Sequence, residues 1–195
     1  MTCPSYVVDL DRPVGERFDG IDAEMIDRAK AILSAVKAEA PPAAVRLAPL
    51  FNARTRWRFS REVKAMGRYA GIDWRWLMLA NVSYDLALAY MSCSTVALPA
   101  REGPVLARNM DWWPEDKLAA ASCTIRYVKG GRLRWAIAGW PGSLGVVSGL
   151  SARGFAVVIN AVLSRQPCSM TGYPVVLFLR TVLEDAGGFG EAVAM

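Results

Sequence analysis

The chain contains no histidine. That single absence removes Ser-His-Asp and Cys-His nucleophilic catalysis, together with the commonest zinc and iron sites. Cysteine is scarce too. Cys3, Cys93, Cys123 and Cys168 form no CxxC pair and no dense framework, so neither a zinc site nor a disulfide scaffold is indicated. No apolar run reaches the roughly 20 residues of a bilayer span. The most apolar window, Leu77 to Tyr90, is shorter than that and carries Asp85. The opening stretch MTCPSYVVDLDRPVGERFDG lacks a basic region followed by an apolar one, so no signal peptide is read and a cytoplasmic location is expected. Repeats, low-complexity tracts and linkers are also missing, which favours one structural domain.

What is present suits a globular chain: 53% of residues are hydrophobic. The formal charge of +5 is compatible with anionic lipids or fatty acyl substrates, and too weak to argue for nucleic acid. Tyr6 to Leu10 reads as a strand. Ile21 to Ala38 has helical spacing with Asp22 as cap, and APPAA stops it. Ser60 to Tyr69 predicts a second helix, and a third begins after Asp73 and runs to about Tyr90. Past Ser92 the pattern turns strand-like in CSTVAL, PVLARNM, CTIRYVK, RLRWAIA, LGVVSGL and GFAVVINAV, before TGYPVVLFLRTVLEDAGG returns to helix. Helices, mainly antiparallel strands, then helix: the layout is α+β. The sharp change in composition at Ser92–Cys93 divides a mainly helical stretch, residues 1–92, from a mainly strand-forming one, residues 93–195.

The stretch MSCSTVALPAREGPVLARNMDWW carries the chemistry. With PAREG as a hairpin loop, Cys93 lies opposite Arg108 if Ala100 and Arg101 form the tip. If the loop is Ala100 to Gly103, Cys93 lies opposite Met110 and Arg108 is its diagonal neighbour. Arg108 and Asp111 are three apart, so both address Cys93 only if the strand bends or bulges near Asn109–Met110. A cysteine nucleophile needs a base, and a chain without histidine can supply a freed α-amino group, whose pKa of roughly 7.7–8.0 suits the task. Cleavage between Ser92 and Cys93 would create that amine on the nucleophile itself. Arg108 would favour the thiolate by charge, and Asp111 would accept hydrogen bonds from the ammonium. Such a site performs acyl transfer through a thioester.

Cys93-Ser94-Thr95-Val96-Ala97, the loop and Arg108-Asn109-Met110-Asp111 resemble the N-terminal nucleophile cysteine amidases. Within that group the chain most resembles the acid ceramidase and N-acylethanolamine acid amidase family, with penicillin V acylases and bile salt hydrolases as cousins. YVVDLDRP, GIDWRWLMLANVSYDLALAY, VSGLSARGFAVVINAV and FLRTVLEDAGGFGEAV are similar to that family's segments in the same order. Ser94-Thr95 stands where the family usually has Thr-Ser, and the hairpin loop is one residue shorter. The resemblance implies a partial αββα sandwich, self-cleavage between Ser92 and Cys93, and hydrolysis of the amide of an N-acyl lipid by Cys93 with Arg108 and Asp111, without metal or organic cofactor. It implies a substrate-side place for Asn160, and an oxyanion-hole asparagine and a further arginine beyond Met195, so the chain is expected to be C-terminally truncated. The alternatives are an incompetent homologue keeping a lipid-binding fold, or a β-lactam or bile-salt acylase or acyltransferase. The self-cleaved fragments would remain together as a heterodimer.

The remaining features have two readings each. Trp112 and Trp113 either line an acyl pocket or pack at a strand end. RTRWRFSREVKAMGR interleaves Arg54, Arg56, Arg58, Arg61, Lys64 and Arg68 with Trp57 and Phe59. It reads as a solvated basic face, with weak contact to an anionic membrane surface as the alternative; no nucleic-acid module is present. Cys3, Cys123 and Cys168 are read as inert terminal, strand and loop thiols. Asn81-Val82-Ser83 fits a glycosylation acceptor and carries no meaning without a secretory signal.

Overall fold

The computed structural model describes residues 3–87, 92–161 and 172–195. Strand β1 (Ser5–Asp9) leads into four helices, α1 (Ala23–Glu39), α2 (Ala48–Arg54), α3 (Ser60–Ala70) and α4 (Trp74–Ala87). The hairpin β2 (Ser92–Leu98) and β3 (Val105–Asp111) follows, then α5 (Glu115–Ala121). Strands β4 (Cys123–Lys129), β5 (Arg132–Gly139), β6 (Ser148–Ser151) and β7 (Phe155–Val158) come next, and α6 (Val175–Asp185) and α7 (Phe189–Ala194) complete the order. Asp22 caps α1 as its position suggests: its Oδ1 accepts from the Met25 amide at 2.8 Å. Gly71, at φ 66, closes α3 in the left-handed conformation that favours glycine.

Five strands form one sheet in the order β1-β4-β5-β6-β7, and β2-β3 stand apart as a second, two-stranded sheet. Alternation along the strands gives the large sheet two unlike faces. Ile125, Tyr127, Trp135, Ile137 and Phe155 are buried in one core with Met25, Val63, Met66, Met78, Leu177 and Leu183 from the helices. The opposite face carries small residues, half-buried Thr124, Ala136 and Ser148 and exposed Ala138, and turns toward the hairpin. The fold is therefore α+β, a helix layer, a sheet and a second β-layer, as the sequence predicts.

Three local expectations change. A short helix, α2, follows the prolines of APPAA. Another, α5, forms on Glu115-Asp116-Lys117 directly after Pro114, with its two acids at the positive helix end. The first strand pairs with β4 in parallel, Ser5 beside Thr124 and Asp9 beside Val128, whereas the other pairs are antiparallel. Residues 1–92 and 93–195 thus share a sheet and a core. The end of the helix expected to reach Tyr90, and Cys168, lie outside the described residues.

Candidate active site

The hairpin is shaped by its two prolines. Pro99 and Pro104 have no amide hydrogen to give, so the ladder ends at the Leu98–Val105 pair. Between them the Gly103 amide donates to the Ala100 carbonyl at 3.1 Å, and Gly103 takes a φ of 120°. That turn sets the register: Cys93 pairs with Met110, Thr95 with Arg108 and Ser92 with Asp111. Of the two registers the sequence allows, this is the one with the longer loop. Cys93, Thr95, Arg108 and Met110 consequently share one face.

Arg108 is the centre of that face. Its Nη2 donates to Cys93 Sγ at 3.0 Å and to the Ile159 carbonyl at 2.9 Å, while Nη1 lies 3.3 Å from Ser148 Oγ. One guanidinium therefore joins the thiol on β2 to β6 and to the end of β7, using the fork geometry that lysine lacks. Its Nε is buried and has no hydrogen-bond partner among the described residues. Beside it, Thr95 Oγ1 donates to Asn160 Oδ1 at 2.8 Å, a second tie between β2 and the segment after β7. Asn160 is exposed.

Asp111 does not join Arg108 at the thiol. The ladder runs unbroken from Ser92–Asp111 to Leu98–Val105, so the bend or bulge expected near Asn109–Met110 is not formed. The alternation of side chains leaves Asp111 on the opposite face, exposed, its Oδ1 accepting from Asn109 Nδ2 at 2.6 Å. In register, however, it lies across from Ser92, the residue whose carbonyl is bonded to the Cys93 nitrogen. Arg108 attends the sulfur, whereas Asp111 is tied to Cys93 only by its register opposite the preceding residue.

The tryptophans separate. Trp112 is half-buried, edge-on to Trp140 at 6.0 Å between centroids, and packs against the core; Trp113 is exposed. Between Arg108 and the small-residue face of the large sheet lies an open cleft of about 530 Å³, bordered by Leu106, Ala136, Ala138, Leu150, Ala156 and Val158. A neighbouring cleft of about 190 Å³ runs from Arg108 and Met110 to Cys3 and Cys123. Burial, and then Cys3 nearby, push the Cys123 thiol up to about 12. Asn81 is fully occupied: Nδ2 donates to the Leu77 and Gly142 carbonyls, and Oδ1 accepts from the amides of Leu144 and Gly145. Among the described residues no cluster of acids and thiols has the makings of a metal site.

Ser148, the Ile159 carbonyl and Thr95 are site residues the sequence reading did not single out. Thr95 follows from parity, two places after Cys93 on the same face. Ser148 and Ile159 are distant in sequence and no local signal marks them.

Residues 99–195 match the family described as acyl-coenzyme A:6-aminopenicillanic acid acyl-transferase. The matched span holds Arg108, Asp111 and Asn160 and begins after Cys93. Together with the layered α+β fold, the match supports a place among the N-terminal-nucleophile-hydrolase-like enzymes in the broad sense. No curated protein matches the chain.

Proposed function

We propose that the chain is a cysteine N-terminal nucleophile enzyme that cleaves the linear amide of an N-acyl lipid, resembling the acid ceramidase and N-acylethanolamine acid amidase group. The observation that carries this is the Arg108 guanidinium 3.0 Å from Cys93 Sγ, on a hairpin whose register sets Asp111 across from Ser92. Hydrolysis of the Ser92–Cys93 peptide gives Cys93 a free amine. The amine takes the thiol proton, and the thiolate, stabilised by Arg108, attacks the substrate carbonyl. The C–N bond breaks, the leaving amine receives the proton from the Cys93 ammonium, and a thioester remains. Water then adds to the thioester, giving its proton back through the same amine, and the fatty acid departs as the thiol re-forms. The cleft of about 530 Å³ beside Arg108, apolar and floored by alanines, has the volume and character for an acyl chain. Asp111 holds the ammonium after cleavage. Neither step calls for a metal or organic cofactor.

The test is denaturing mass spectrometry of the purified chain, followed by incubation with N-palmitoylethanolamine. The expected result is two fragments meeting at Ser92–Cys93, a trapped acyl thioester on the Cys93 fragment and release of ethanolamine, all lost in Cys93→Ala. An intact chain that behaves identically in Cys93→Ala overturns the reading. A second reading rests on the family match: an amine, not water, accepts the acyl group. Formation of a new amide when 6-aminopenicillanic acid is added would favour it.

A further inference from the structure

Residues 40–61 contain five arginines and no acidic residue. The structure sorts these cations into unlike groups. Arg58 is committed: it pairs with Glu184 at 2.7 Å and Asp185 at 2.6 Å. Further along, Lys64 lies over the Trp74 ring at 5.2 Å. Arg46, Arg56 and Arg61 are exposed and form no ion pair among the described residues, and Arg54 is held over the Phe51 ring at 5.3 Å. The same segment exposes three large apolar side chains, Leu47 at 46%, Leu50 at 47% and Trp57 at 53%. Leu47, Leu50 and Arg54 fall at spacings of three and four residues along α2 and its N-terminal edge, and Trp57 is exposed in the turn that follows that helix.

The turn after α2 gives this arrangement its sense. Arg56 and Trp57 take φ values of 51° and 61°, left-handed conformations unfavourable for residues with a Cβ. The Trp57 amide is fixed to the Asn52 carbonyl at 2.8 Å. Two residues on, Phe59 is buried at 2% exposure. The chain accepts an unfavourable backbone and leaves the indole outside while burying the smaller ring.

We propose that this face, Leu47, Leu50 and Trp57 with Arg54, Arg56 and Arg61, docks on the surface of an anionic lipid bilayer. Each part suits that partner. Indole rings settle at headgroup depth, leucines reach the acyl boundary, and guanidinium groups pair with lipid phosphates. Nucleic acid would use the arginines and the indole and leave the leucines without a role. The contact is peripheral, since no helix among the described residues is long and apolar enough to cross a membrane. The inference stands on residues remote in sequence from Cys93 and is independent of the activity proposed above.

The experiment is co-sedimentation of the full chain with vesicles of phosphatidylglycerol in phosphatidylcholine, set against vesicles of pure phosphatidylcholine. Binding should appear on the anionic vesicles, with at least tenfold preference, and weaken as salt rises. The R56Q/R61Q pair, both exposed and unpaired, should lower partitioning about thirty-fold. L50S/W57S should lower it too, and Trp57 fluorescence should be quenched by brominated anionic lipid. Arg126→Gln, an exposed arginine on β4, should bind as the parent does. Equal binding to neutral vesicles, absence of binding, insensitivity to both double variants, or displacement by duplex DNA at equal phosphate would each overturn the proposal. Unchanged circular dichroism confirms that the variants fold; should L50S/W57S not, R56Q/R61Q and the salt series decide alone.

Discussion

Arg108 does at the scale of one side chain what a catalytic histidine cannot do here, holding a thiol in place while binding two strands to it. Its three contacts span Cys93, Ser148 and Ile159, so its shape matters as well as its charge. Arg108→Lys keeps the charge and loses the fork, and on the proposed function it should lower amide turnover about a hundredfold, read as kcat with a lipid amide. The thiols divide in the same way. Cys123 is buried at 1% exposure with its thiol pushed up to about 12, so peptide mapping after mild iodoacetamide treatment should find it unmodified while Cys3 is alkylated. Of the site, the sequence made the nearness of Arg108 to Cys93 legible and left two loops open; the Gly103 turn between Pro99 and Pro104 decides for the longer one. The parity that separates Asp111 from Arg108 was legible as well, and a regular ladder followed it. Ser148 and the Ile159 carbonyl were not legible, since only the meeting of two sheets brings them to Arg108.

Elements were readable where one physical signal ruled them. Asp22, Gly71 and the apolar spacing of α1 act within a few residues, and those helices fall where expected. By contrast, α2 has no side-chain cap and begins among prolines; the burial of Ala48, Phe51 and Asn52 marks its packed face. The signal for α5 was present in Pro114-Glu115-Asp116 but brief, seven residues that need α1 alongside, where Arg28 reaches the Ala120 carbonyl at 2.9 Å. A clearer case of one element depending on another is the loop between β5 and β6. Asn81 on α4 accepts both the Leu144 and Gly145 amides, and Gly145 lies so close to α6 that a Cβ there would meet Val176 at 2.7 Å. Asn81→Ala should cost roughly 2–4 kcal/mol by leaving those donors unmet, measured as a fall in the urea midpoint. No glycan can use that asparagine while the helix is folded.

Over the whole molecule, one buried cation draws the layers together. Arg180 on α6, 1% exposed, bonds Glu62 of α3, Glu184 of its own helix, the Tyr127 hydroxyl of β4 and the Leu144 carbonyl. Its guanidinium also lies 4.3 Å from the Tyr127 ring centroid. Arg180→Met should destabilise by about 3–5 kcal/mol, read by denaturant titration, because it takes the cation from part-buried Glu62, leaves Glu184 with Arg58 alone, and leaves the Leu144 carbonyl without its donor. Acid should act broadly. The Met25 amide and the Tyr6 hydroxyl hold Asp22 below its ordinary value, Arg75 does so for Asp73, and Arg58 for Asp185. Folded carboxyls that bind protons less readily than unfolded ones contribute stability above about pH 4, and that contribution disappears as pH falls through their lower folded values. Thermal midpoints measured across that range should drop, and Asp185→Asn should flatten the drop. The parallel pairing of β1 with β4 has a temporal meaning as well. If the peptide at Ser92–Cys93 is cut, one partner in that sheet belongs to each fragment, and refolding changes from a unimolecular event to an encounter whose success depends on protein concentration. The uncut chain can unfold and return at any dilution; the cut one, once its fragments are dispersed, would lose that route, so cleavage would make each full unfolding at high dilution a one-way event.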